Sequence, residues 1–294
     1  MTELLIGVCH GLAPDKIHNW VVSSRSCGFS GDVALIGVDA TATLADLCAA
    51  HNVALTDVSS MDPFFLDHPP STEPLGDLPH GGIRIHHQRY LLLHRYLSQA
   101  SSYELVVTTD VRDVVFQQNP FARLRALLDA GAAEILIGSE NIRFKDEPWN
   151  SKNLGSAYPF LTDAVACDEP VCSGVIGGRL APLRDFLMLV YLVTRNFLSE
   201  KVSDQAGVNA LLHLHPFSER VAITRLTDAW VCHLGVSGPT DQHKDQGYDR
   251  NLLEASPALR GDMVVTAGGE AFDIVHQYER IPAWNEAISR KYRE

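Results

Sequence analysis

The chain has 294 residues, 46% of them hydrophobic, enough to bury a sizeable core as one large domain or two small ones. Its 24 Lys and Arg against 36 Asp and Glu give a formal net charge of −12, which argues against a nucleic-acid coat or an anionic membrane surface as partner; an anionic ligand must be held by local basic groups, helix N-termini or a bound cation. Six scattered cysteines with no CxxC pair exclude zinc-ribbon and redox readings and predict a reduced, cytoplasmic protein.

In chain order, Leu4–Cys9 reads as a buried strand. The segment MTELLIGVCHGLAP has no basic n-region, and its apolar run is too short for a signal peptide or an integral membrane segment. A helix follows over about 15–27, then strand Val33–Val38, helix Leu44–His51 and strand Val53–Val58. Such alternation predicts a βαβ sheet with right-handed crossovers. Residues 61–82 are rich in Pro and Gly and read as a loop, and Ile83–Ala100 as a helix with apolar positions from Ile85 to Leu97. Helix 120–130 and strand 134–138 come next, and residues 140–165 show no steady period, as a substrate-facing loop would. Strand Val171–Gly177, helices 182–198 and 204–213, and short strands near Ile223, Val231, Met263–Thr266 and Ile274–His276 complete the pattern. No repeat or composition shift marks a domain boundary.

The most informative stretch is LVVTTDVRDVVF, residues 105–116. A run of β-formers ends on Asp110 and Asp113, placing carboxylates at the strand end where open α/β sheets bind ligands. Two close carboxylates repel unless a cation lies between them, and hard oxygen donors suit Mg²⁺ or Mn²⁺. The plain alternative is that Asp110 caps a turn while Asp113 pairs with Arg112. Further on, CSGVIGG (172–178) is a strand of small residues that permits close approach of a ligand or another backbone, or simply turns into a helix. In SDQAGVNALL (203–212), Asp204 complements a helix dipole or joins Gln205 and Asn209 in facing a polyhydroxylated ligand. DIVHQYER (273–280) ends an apolar strand on His276, a core histidine or a third ligand beside the acids. Arg84, His87 and Arg89 either form a solvated basic face or grip a diphosphate, whereas His86 and His94 read as surface or packing residues.

The order of these motifs, from the acidic strand through SGV–GG and DQ–x–x–x–N to a strand ending in His, resembles the GT-A-fold nucleotide-sugar glycosyltransferases, most of all the retaining, metal-dependent type. The resemblance spans roughly residues 4–280 and rests on order and spacing, since each motif is short. It implies a single GT-A-like α/β domain with a mixed, mostly parallel sheet, helices on both faces and a Rossmann-like N-terminal half, residues 1–118 binding nucleotide and 119–294 binding acceptor. It implies that Asp110 and Asp113 hold Mn²⁺ or Mg²⁺ together with His276, with Asp110 and Arg112 also near the donor. Asp204 and Gln205 would stand near the anomeric carbon, Ser173 and Gly174 would floor the site, and Val8, Cys9 and His10 would meet the nucleotide. Arg84 or Arg89 would assist at the diphosphate. The expected partners are a UDP- or GDP-linked sugar and a carbohydrate or other hydroxyl acceptor. One departure stands out: two residues separate the acids in DVRD where the family has one. Either the strand end bulges so that both acids face the pocket, or only one touches the metal.

Two other enzyme classes use similar acids. A nucleotidyltransferase wants a basic, Gly-rich loop after the first strand, which GVCHGLAPDK supplies only weakly. A phosphatase nucleophile closes the first strand, which here ends in Cys9-His10. A non-catalytic nucleotide-sugar-binding module is the reading that the irregular DVRD spacing favours.

Overall fold

The computed structural model describes residues 2–58, 85–100, 102–194 and 203–293. The strands are β1 (Thr2–His10), β2 (Asp32–Val38), β3 (Ala54–Asp57), β4 (Tyr103–Thr109), β5 (Val114–Phe116) and β6 (Ile135–Ser139). They continue as β7 (Val171–Arg179), β8 (Val221–Thr224), β9 (Val231–His233), β10 (Ala258–Arg260), β11 (Met263–Val265) and β12 (Ile274–His276). The central sheet has seven strands in the order β3-β2-β1-β4-β7-β6-β8, so both halves of the chain share it. All its neighbours pair parallel except β7, which runs against β4 and β6.

Both faces of this sheet are covered, which is why its strands read as nearly continuous apolar runs. Along β1, Leu4 and Ile6 join Tyr90, Leu97, Phe186 and Val190 of helices Ile85–Gln99 and Leu180–Thr194. Leu5 and Cys9 point the other way, to Trp20, Leu44 and Leu124 of helices Pro14–Ser26, Ala42–Ala50 and Pro120–Asp129.

A second sheet, β5-β12-β9, completes the core. Val114, Val231 and Ile274 face the main sheet, while Val115, Cys232 and Val275 pack on Trp284 and Ile288 of helix Pro282–Lys291. This alternation fixes the register, because a one-residue slip would turn every side chain to the wrong face. In that register His276 pairs with Val114 on one side and with His233 on the other.

Two stretches differ from expectation. Residues 140–165 are not an irregular loop: they hold helix Pro148–Ala157 between the one-turn segments Phe144–Asp146 and Pro159–Leu161. Glu147 caps that helix by accepting from the backbone N–H of Trp149 and Asn150, and Pro148 opens its first turn. Its buried apolar positions are only Leu154 and Ala157, which cluster with Phe144, Tyr158, Leu161 and Val165 and with Ala206 and Ala210 farther along the chain, too few for a steady helical period. Helix Pro282–Lys291 was likewise absent from the sequence pattern. The expected loop over 61–82 and Arg84 lie outside the described residues. No helix among the described residues is long and apolar enough to cross a membrane.

Candidate functional site

Strand β4 brings the first acid to its carboxyl end, and three contacts fix the chain there. Trp20 Nε1 donates to Thr109 Oγ1 at 2.8 Å, and the Asp110 N–H donates to the Gly174 carbonyl at 2.7 Å. The Gln277 N–H then donates to the Asp113 carbonyl at 2.7 Å. Between these anchors Val111 is buried and Arg112 is 57% exposed. Val111 fits because Gly7 has no side chain, since a Cβ there would lie 2.2 Å from Val111 Cγ1. The two-residue spacer thus sends one residue inward and one outward, and both acids reach the same imidazole.

His276 Nε2 lies 3.6 Å from Asp110 Oδ2 and 3.5 Å from Asp113 Oδ1. Each acid turns its second oxygen to an arginine: Asp110 Oδ1 binds Arg89 Nη1, and Asp113 Oδ2 is 3.9 Å from Arg112 Nη2. One ligand atom from each of Asp110, Asp113 and His276 can be chosen so that all three lie within 4.8 Å of one another. Two carboxylate oxygens and one imidazole nitrogen are a donor set that suits Mn²⁺ or Mg²⁺, so these residues fit the divalent cation that the motifs implied. In the bare site the charges are mutually compensating. Burial opposes ionisation of Asp113, but the His276 cation, aided by Arg112 and Arg280, outweighs it and holds the carboxyl well below its usual range. Burial pushes the His276 imidazole down; Asp113 and Cys172 reverse this and raise it well above the ordinary value.

Gly174 makes room for that ring. A Cβ on it would fall 2.3 Å from His276 Cε1 and 2.8 Å from Nε2. Gly174→Ala is therefore expected to lower stability by about 1–3 kcal/mol through overpacking and to weaken Mn²⁺ binding by displacing the ring. Denaturant unfolding and calorimetric Mn²⁺ titration read the two effects, and unchanged metal affinity would separate Gly174 from the site.

A second layer lies behind the acids. Arg89 Nη2 donates to Asp204 Oδ2 at 2.9 Å, to Tyr90 Oη at 2.9 Å and to Ser173 Oγ at 3.3 Å. Arg89 thereby joins Asp110 to Asp204 across the sheet end, and it is not part of a solvated basic face. Burial resists the charge on Asp204, yet Arg89, His86 and His87 hold its carboxyl below the usual range. Its Oδ1 is buried and has no hydrogen-bond partner among the described residues.

Gln205 Nε2 donates to Glu140 Oε1 at 3.0 Å and to Asn150 Oδ1 at 2.7 Å. Asn209 does not face a ligand. It accepts from Val171 N–H and donates to Val171 and Gln205 carbonyls, clamping helix Ser203–Leu212 to β7. Nor do Gly177 and Gly178 cradle a ligand: Trp230 and the Glu134 carbonyl fill the space beside them.

A cleft of about 700 Å³ opens beside these groups, lined among others by Trp149, Gln205, Gln277 and Arg280. A second of about 700 Å³ holds Leu12, Lys16, Asn19 and Arg112. A cavity of about 860 Å³ near Arg143 and Arg225 contains none of the expected site residues. At the end of β1, Val8 is half-buried, Cys9 is buried with its thiol pushed up to about 12 chiefly by burial, and His10 lies 3.2 Å from Asp39. The sequence reading missed His233, Cys172, Glu140, Glu147 and Gln277 as neighbours of the site. None of them carries a local sequence signal; Gln277 is set apart only in the structure, by a left-handed backbone with φ 65° directly after His276.

No protein-family model matches the chain, and no curated protein sequence matches it. Among solved structures it is similar to apo mouse xyloside xylosyltransferase 1, with a TM-score of 0.56 at 14% identity, over 94% of this chain and 97% of that one. At that identity the likeness establishes the fold: a GT-A-like α/β domain with a mixed, mostly parallel sheet.

Proposed function

We propose that the chain is a glycosyltransferase of the hexosyltransferase kind, moving a sugar from a UDP- or GDP-linked donor to a carbohydrate or other hydroxyl acceptor with retention. The observation that carries this reading is the meeting of Asp110, Asp113 and His276 at the carboxyl end of β4 on a GT-A-like fold. A Mn²⁺ or Mg²⁺ ion held by these three would neutralise charge on the departing diphosphate. The protein's own groups supply the rest. Arg280, facing the cleft beside Gln205, offers a fixed positive charge to the same phosphates. Arg89 orients Asp110 and Asp204 and favours the ionised form of Asp204. The Gln205 side-chain carbonyl and Asp204 Oδ1, which has no hydrogen-bond partner among the described residues, supply electron density to an oxocarbenium-like centre. Residues 1–118 would carry the nucleotide and 119–294 the acceptor. Six free thiols support a cytoplasmic setting.

The test is a screen of nucleotide sugars for Mn²⁺-dependent donor hydrolysis, read as free nucleoside diphosphate. Hydrolysis of one donor class is expected, and more slowly without metal. Binding of every donor class without any turnover would instead mark a binding module. Pyrophosphate from a nucleoside triphosphate plus sugar phosphate would mark a nucleotidyltransferase.

A further inference from the structure

His276 has two ring nitrogens, and the acids use only one. On the far side, His276 Nδ1 lies 2.9 Å from His233 Nδ1 and 3.5 Å from Cys172 Sγ. All three side chains are buried: Cys172 is 2% exposed, His233 1% and His276 2%. We propose that Cys172, His233 and His276 form a second metal site, for a thiophilic divalent cation such as zinc, which competes with the carboxylate site for His276.

The geometry suits a tetrahedral ion. Bonds of about 2.0–2.1 Å to nitrogen and about 2.3 Å to sulfur place nitrogen donors roughly 3.3 Å apart and nitrogen and sulfur roughly 3.6 Å apart. Two of the separations, 2.9 and 3.5 Å, lie close to these values, and one ligand atom from each of the three residues can be chosen so that all lie within 4.8 Å of one another. The fold has made room for both rings. His276 lies where Gly174 lacks a Cβ, and His233 where a Cβ on Gly138 would come 2.4 Å from Nε2. His233 faces His276 through Nδ1, and its buried Nε2 has no hydrogen-bond partner among the described residues. Soft sulfur and imidazole donors select zinc over Mg²⁺ or Mn²⁺, whereas the outer set of two carboxylates and one imidazole selects the reverse.

The competition follows from the electron pairs of one ring. A neutral imidazole has a single lone pair and a single N–H. When the inner ion binds, Cys172 loses its thiol proton and the His276 cation its Nδ1 proton, both to solvent, and one Zn–S and two Zn–N bonds form. The remaining hydrogen of His276 must then sit on Nε2, where it donates to Asp110 and Asp113 and leaves no lone pair for an outer ion. When the outer ion holds Nε2, the hydrogen sits on Nδ1 and points at His233. Zinc at the inner site would therefore expel the Mn²⁺ ligand without touching either carboxylate.

Metal-free full-length protein titrated with Co²⁺ is expected to bind one equivalent with a thiolate-to-cobalt absorption band in the near ultraviolet. Asp113→Asn should keep that band, and Cys172→Ser should lose it. Mn²⁺ affinity, read from free Mn²⁺ by electron paramagnetic resonance, should fall at least about ten-fold once the protein is loaded with zinc, and that zinc effect should vanish in Cys172→Ser. His233→Gln should weaken the cobalt band if Cys172→Ser proves unstable. A wild-type protein without a thiolate band, or a band that survives in Cys172→Ser, would overturn the site. Mn²⁺ affinity indifferent to zinc would overturn the competition. No nucleotide sugar enters the experiment, so its outcome is separate from whether the chain transfers sugar.

Discussion

Asp113→Asn is expected to cut Mn²⁺-dependent donor turnover by about 10²–10³-fold, the scale of losing one preorganised charge at a reacting centre. Asparagine keeps the side chain's size, and the bond from Gln277 N–H goes to the backbone carbonyl of residue 113, so the loop stays pinned. What disappears is the negative charge 3.5 Å from His276 Nε2. Removing one of the three proposed ligands should also lower Mn²⁺ affinity by about 10–100-fold or more. Without that carboxylate, the largest influence raising the His276 imidazole is gone, and burial brings it down from its raised value. Donor hydrolysis at saturating Mn²⁺, beside a calorimetric metal titration, checks both effects. Unchanged turnover and unchanged affinity would remove Asp113 from the chemistry, and with it the reading of the site.

The acidic strand was legible because its physics is local. An apolar run that stops on two carboxylates can do so only at a strand end, and the alternation of apolar runs with helical patterns set the sheet around it. Whether the two-residue spacer in DVRD keeps both acids on one side was not legible. That depends on Val111 fitting over Gly7 and on Gln277 binding the 113 carbonyl, contacts made by β1 and by a strand more than 160 residues away. His233 and Cys172 were hidden for the same reason. β9 and β12 are three residues long, and only their mutual register places His233 beside His276. Asn209 shows the opposite error: a polar residue one helical turn after Gln205 looks the same in sequence whether it faces a ligand or the backbone of β7. Arg89 was visible as a cation, but not as the bridge between two acids that come from different ends of the chain.

That bridge gives the largest expected stability effect. Arg89→Met should destabilise the protein at pH 7 by about 3–5 kcal/mol, because it leaves the Asp204 carboxylate buried without its cation. The pH dependence distinguishes this from a simple packing loss. In the wild type, Asp204 has a folded value depressed below its unfolded one, so its contribution is present above the ordinary carboxylate range and lost as pH falls through the depressed value. In Arg89→Met, burial, the largest influence on Asp204, is no longer offset by Arg89, and the folded value rises. The variant should then recover stability relative to wild type as pH falls from 7 toward 5, since a proton removes the unpaired charge. Adding Asp204→Asn removes the same charge chemically and should restore part of the loss at pH 7. Urea unfolding of the four proteins at both pH values measures this directly. Equal destabilisation at pH 7 and 5, with additive effects in the double variant, would show that Arg89 serves as packing alone. A pH-dependent, non-additive result would establish that the Arg89 guanidinium keeps Asp204 charged, so donor turnover should fall with it even where Mn²⁺ is saturating.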